Sequence, residues 1–291
     1  MRSVTVALAL WMFGQGDSAA TLDTVLERFR TYFSHYAEQY SATLALEHYN
    51  QTFTNHNGAN EDYRRLDQPF AIALESEFAI MRLTATPQWL GFRDVRRVNG
   101  KPVSGSGRSL ADAMKESPAA ALEIGWTVVK ESARYNLGPG FRSINNPSLA
   151  LEILDPRHHS RFRFAKEREE RVGGVAAWCI RFAERERPTV VRGLDGENNP
   201  AHGRAWIDPA TGTLLKAEVE VVGLNQSFDD DRRKQGLSLL VVFAKDARLD
   251  MFVPVSMQER YIVGTQTVVI GEATYRGYRR FSAASRLVTQ P

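Results

Sequence analysis

The chain of 291 residues has one cysteine, Cys179, so it can form neither an internal disulfide nor a cysteine-rich zinc site. Charge of one sign is not in excess. Thirty-seven Lys and Arg stand against 34 Asp and Glu, a net of +3, which gives no reason to expect a nucleic-acid partner. No apolar run approaches the roughly twenty residues that cross a bilayer, so no transmembrane segment is expected. G-x-S-x-G, the phosphate-loop G-K-[ST] and H-E-x-x-H are all missing, as are internal repeats and low-complexity tracts. What remains is ordinary: 43% hydrophobic and 24% charged residues, the composition of a folded globular chain.

The start of the chain reads as a secretory signal. Arg2 precedes the apolar run Val4 to Phe13 (VTVALALWMF), and Ser18-Ala19-Ala20 supplies the small residues of a cleavage site after Ala20. The expectation is a single exported domain, 21–291, periplasmic or secreted. Cys179 lies in a strand-like run and is expected to be buried and inert.

Thr21 to Tyr40 has helical spacing, with Leu22, Val25, Leu26, Phe29, Phe33, Tyr36 and Tyr40 on one face and Thr24 and Glu27 as a capping box. Strands are expected over Ser41 to Thr54, Phe70 to Leu83 and Trp89 to Val98. Turns are expected at Asn55 to Gly58, Thr86-Pro87 and Asn99-Gly100. A helical insert at about 105–155 follows the Gly/Ser connector Ser104 to Gly107. It contains a helix from Pro118 to Tyr135, stopped by Gly138-Pro139-Gly140, and a short helix Ser148 to Leu154.

From Arg161 onward the chain alternates every second residue and reads as strands joined by short turns, hence antiparallel. Val172-Gly173-Gly174-Val175 is one turn. Asp208-Pro209-Ala210-Thr211-Gly212 is the sharpest, pairing Trp206-Ile207 with Leu214-Leu215. Further strands run through Leu237 to Phe243, Phe252 to Ile262 and Thr267 to Phe281. Pro254 suggests an edge strand or a strand start, and Asp229 to Gln235 a solvated loop. The class is α+β.

The turn after Val172, the run Trp206 to Leu215 (WIDPATGTLL), Val253 to Met257 (VPVSM) and Gly271 to Tyr275 (GEATY) resemble the periplasmic lipoprotein-carrier superfamily. That superfamily includes outer-membrane lipoprotein-sorting proteins. The resemblance covers about Phe162 to Phe281 and implies a strongly curved antiparallel sheet, an unclosed barrel, with helices packed on the concave side. It also implies acyl-chain binding there. The whole chain, with Glu131 to Leu137 (ESARYNL), is similar to exported bacterial proteins that carry no known activity. The insert is longer than the carriers have, and no arginine matches the one that closes the carrier lid.

Candidate chemistry is sparse. Asp155-Pro156-Arg157-His158-His159 carries two histidines, but neighbours in sequence diverge on a helix or strand, so a polar loop is the simpler reading. Lys166 to Arg171 interleaves both signs and reads as a solvated hairpin tip. Arg161, Arg163, Arg168 and Arg171, with Arg93, Arg96 and Arg97, could form a basic face for an anionic partner. No cofactor, metal or catalytic residue is expected, and the protein is not expected to be an enzyme.

The candidate site is therefore apolar: Phe162, Phe164, Trp178, Ile180, Phe182, Trp206, Leu239, Val241 and Phe243 lining the concave face. The corresponding function is an exported carrier or sensor of a lipid or lipidated protein. The alternative is a cell-envelope interaction module with a filled core and no ligand.

Overall fold

The structure is a computed structural model. It describes residues 20–40, 42–54, 64, 69–82, 88–103, 109–138, 142, 144–193, 196–223 and 235–280. The expected signal peptide, the turns at Asn55 to Gly58 and Thr86-Pro87, the Gly/Ser connector, Pro139-Gly140 and most of the charged loop before Gln235 lie outside these residues.

Helix α1 spans Leu22–Tyr40. A first meander follows: β1 (Ala42–Phe53), β2 (Ala71–Arg82), β3 (Trp89–Val98) and β4 (Lys101–Pro102). Then come α2 (Leu110–Glu116), α3 (Pro118–Ala133), α4 (Ser148–Leu154) and a 3-10 turn, Pro156–Arg161. The second meander is β5 (Phe162–Val172), β6 (Val175–Glu184), β9 (Ala201–Ile207), β10 (Leu214–Val222), β11 (Gln235–Asp246), β12 (Met251–Val263) and β13 (Gln266–Arg280). Between β6 and β9 a small ribbon pairs β7 (Val191–Arg192) with β8 (Asn198–Asn199).

The two meanders form one eleven-stranded sheet in the order β4-β3-β2-β1-β13-β12-β11-β10-β9-β6-β5. All its pairs are antiparallel. The sheet is curved and unclosed, with β4 and β5 as its edges. The ladder that joins the meanders pairs β1 with β13, where Phe53 stands opposite Val269 and Thr43 opposite Arg280.

The large core lies on the inner face. Val25, Leu26, Phe29, Phe33, Tyr36, Ala37 and Tyr40 of α1 pack there with Leu149, Ala150, Leu151, Ile153 and Leu154 of α4 and with alternate residues of the long strands. The helical stripe read from the sequence is thus the buried one. Its cap sits three residues earlier than expected: Thr21, not Thr24, accepts the amide of Thr24 at 3.2 Å.

Helices α2 and α3 form a second, smaller layer on the other face. They cover Leu44, Ala79, Met81 and Phe92. The concave side therefore receives α1 and α4, while the middle of the insert packs behind the sheet. Ser109 and Ser117 start these two helices by accepting the amides of Asp112 and Ala120.

The Asp208–Gly212 turn is sharp for a reason beyond its own hydrogen bonds. Asp208 accepts the amides of Ala210 and Gly212, and Thr211 bonds its carboxylate. Gly212 has a φ of +78°, and a Cβ there would run into the α1 backbone at Arg28 and Phe29. Arg28 Nη1 donates to Pro209 O at 2.6 Å. The turn is the seat on which α1 rests.

Pro254 lies in an interior strand, but near its start. The recorded pairs of β12 with β13 begin at Ser256, and the β11 register shifts beside Pro254, so the missing N–H falls where β12 is paired on one side.

Candidate functional site

Strand alternation distributes the nine apolar candidates. Phe162, Trp178, Ile180, Phe182, Leu239, Val241 and Phe243 are buried in the inner core, and Phe164 is half-buried against it. The rings of Phe162 and Phe182 meet edge-on at 5.8 Å, and Phe164 lies 4.9 Å from His159. These side chains pack into one cluster with α1 and α4.

Trp206 does not join them. Ala205 and Ile207 point inward, so Trp206 points outward, where it packs with Ala177, Cys179 and Leu215. Lys216 Nζ sits 3.9 Å from its ring centroid, and its indole N–H donates to Glu170. Register makes this unavoidable, because Trp206 pairs with Cys179 and not with Trp178.

Within the apolar inner face lies a cluster that the hydrophobic pattern concealed. Strand β1 turns Ala45, Glu47, Tyr49, Gln51 and Phe53 inward, while Leu46 is exposed outside. Glu47 takes two hydrogen bonds from Arg93 of β3, at 2.6 and 2.9 Å, and both residues are buried. The Arg93 guanidinium also lies 4.2 Å from the Tyr49 ring centroid.

A second buried pair sits beside the first. Arg142, from the segment between α3 and α4, reaches in to Glu259 of β12 at 3.2 Å. Its guanidinium lies 4.5 Å from the Tyr261 ring centroid and donates to Leu137 O at 2.6 Å. Tyr49 donates to Glu259, and Asn145 Nδ2 donates to Tyr49 Oη at 3.2 Å. Gln51 holds the same segment, donating to Tyr135 O at 2.9 Å and accepting the Leu137 amide at 3.0 Å.

The charges fix the protonation of this cluster. Burial alone would lower the Arg93 pKa, but the Glu47 carboxylate outweighs it and holds the guanidinium charged. Burial, reinforced by Glu259, pushes the Tyr49 phenol well up, and burial with Glu47 does the same to Tyr275. Burial raises Tyr261 to about 12. The phenols are neutral donors. The cluster latches the segment that carries Arg142 to β1 and β12.

A groove of about 600 Å3 runs along the outer flank of α1. Thr24, Arg28, Tyr32 and Tyr36 form one wall, and Lys245, Met251 and Phe252 are on the other.

No protein-family model matches the chain, and no curated protein matches it in sequence. Solved structures do resemble it. A putative outer membrane lipoprotein-sorting protein domain from Vibrio parahaemolyticus is 11% identical, with a TM-score of 0.41 over 88% of this chain and 91% of its own. A DUF1329 family protein from Desulfovibrio piger is 9% identical, with a TM-score of 0.36 over 90% and 94%. A LolA superfamily protein from Nitrosomonas europaea is 8% identical, with a TM-score of 0.34 over 94% and 99%. The superfamily that the second half of the sequence resembles is represented among them.

The remaining sequence candidates separate in space. His159 is buried, stacked on Phe29 at 5.6 Å, with Nε2 at 3.2 Å from Leu154 O, whereas His158 turns away to Glu152. No group of three metal-ligating side chains occurs among the described residues. Lys166 to Arg171 is strand, not a hairpin tip. Glu167 there joins Arg181 and Arg204 on the outer face. The seven arginines form no single face. Arg93 is inside, Arg96 bonds Glu77 and Asp94 of the first meander, and Arg161 pairs with Glu184 of the second. Cys179 is buried, and burial raises its thiol pKa. No described helix is long and apolar enough to cross a membrane.

Proposed function

We propose that the protein is an exported, non-enzymatic carrier or sensor of an apolar ligand, a lipid or a lipidated protein, held between α1 and the inner face of the sheet. The observation that carries this reading is the nature of the cover. An apolar inner face is roofed by α1 beside α4, and amphipathic α1 meets it through aromatic side chains and is seated on one turn. A helix lifting from such a face exchanges its own apolar contacts for those of a ligand. Each buried methylene would contribute about 0.8 kcal/mol.

The test is native mass spectrometry of protein exported by a bacterial host, followed by organic extraction and lipid analysis. A stoichiometric acyl-containing adduct is expected, and Phe243→Asp and Trp178→Asp should lose it. Ligand-free protein under gentle conditions would overturn the proposal.

The burial of seven of the nine candidates in one packed cluster favours a second reading, an envelope interaction module whose core is simply full. Ligand-free protein that crosslinks to one envelope partner would establish it.

A further inference from the structure

The groove beside α1 is polarised along its length. At one end stand Thr24 and Arg28 of α1, against Thr211 of the supporting turn. At the other end the walls are Tyr32 and Tyr36 of α1 with Met251 and Phe252 of β12, beside Lys245, which pairs with Phe252 in the sheet. From Thr24 to Gln39 the α1 wall covers about 22 Å at 1.5 Å per residue.

The charges are distributed unevenly. Lys245 is bound to Asp250 at 2.8 Å, and Glu27 to Arg30 at 2.7 Å. Arg28 has no carboxylate at ion-pair distance among the described residues. Its fixed contact is the neutral carbonyl of Pro209. That bond uses one guanidinium N–H and leaves the others, and the whole charge, to the groove. At the far end, Tyr36 is buried and its hydroxyl has no hydrogen-bond partner, and His35 and Gln39 of α1 also line the groove there.

We infer that this groove binds a single acyl chain ending in an anionic group, with the anion on Arg28 and the chain along Tyr32, Tyr36, Met251 and Phe252. The inference rests on the carrier reading and adds to its inner-face site a second seat on the flank of α1. A guanidinium recognises carboxylate or phosphate through paired N–H donors, and Thr24 and Thr211 stand beside it. The volume is within the range of small-molecule sites. An anion at Arg28 would also sit against the turn on which α1 rests, so occupancy of the groove and the position of the helix are coupled.

The experiment titrates delipidated protein with palmitate and with hexadecanol, each below its limit of aqueous solubility as monomer. The two probes share a chain and differ in the charged end. Arg28→Gln should weaken palmitate about tenfold, the loss of one charge-assisted contact, and leave hexadecanol unchanged. Arg28→Lys should restore most of the palmitate affinity, which a merely structural role for the Pro209 contact would not do. Phe252→Ser should weaken both probes. Equal losses for both probes with Arg28→Gln, or no loss for either, would overturn the inference. If both probes bind and only Phe243→Asp abolishes binding, the carrier reading stands and the groove is not its seat. If neither probe binds the wild-type protein, both fall together.

Discussion

The phenol of Tyr49, on β1, donates to the carboxylate of Glu259, on β12, although β13 lies between the two strands. They meet above Gly271. A Cβ at that residue would stand 2.8 Å from the Tyr49 ring and hydroxyl and 2.9 Å from Glu259 Oε2. The glycine is the gap through which the two meanders share a hydrogen bond.

Gly271→Ala should therefore destabilise the fold by about 2 kcal/mol, the cost of overpacking a core contact. Urea unfolding would measure it. Tyr49→Phe in the Gly271→Ala background should recover part of the loss by removing the hydroxyl from the clash. If Gly271→Ala unfolds at the wild-type midpoint, the gap is not needed.

Breaking the second buried ion pair should cost more. Arg142→Ala removes the cation beside the buried Glu259 carboxylate and is expected to lower stability by about 3–5 kcal/mol. Adding Glu259→Gln should restore a substantial part. The double-mutant cycle reads this coupling directly, and additive effects would show that the pair does not act as one.

His159 predicts an acid limit. Burial lowers its pKa to about 4, from 6.5. Between those values the unfolded chain binds the proton and the folded chain does not. Stability is therefore full above pH 6.5 and falls as pH drops toward 4, by about 3 kcal/mol at most. His159→Phe should flatten that part of the melting-temperature profile between pH 7 and pH 4. An unchanged slope would assign the acid loss to other groups.

Gly212→Ala should act on α1 before the sheet. The added methyl meets the helix backbone and forces a strained φ. Amide exchange in α1 should accelerate while β11 and β12 stay protected. Uniform acceleration through the sheet would mean that the turn supports the whole fold and not the helix seat.

Most of the framework was legible because strands with one covered face alternate strictly. Leu237, Leu239, Val241 and Phe243 announced both β11 and its buried side, and the Asp208 turn announced its hairpin. β1 was harder, since its visible leucines mislead. Leu44 packs behind the sheet against α2 and α3, Leu46 is exposed, and the inward set is Ala45, Glu47, Tyr49, Gln51 and Phe53. Alternation counted from the aromatics at 49 and 53 gives the correct face. Counted from the leucines, it gives the wrong one. Trp206 shows the same one-residue error. Arg93, Arg142 and Glu259 left no mark, because a charge whose partner lies on a distant strand looks in sequence like any solvated charge. Their pairing is a product of topology.

The seam between β1 and β13 orders events in time. Thr43 must find Arg280, and Tyr49 must find Glu259, so the junction cannot form until the distal meander exists. Until then β1 and β13 each present an unpaired edge. Contacts this far apart in sequence make folding slow and leave those edges open to mispairing. Pulse-labelled exchange should show amides of the β1–β13 ladder protected after those of β11 and β12. An assistant that shields one such edge would then speed folding without touching the native state.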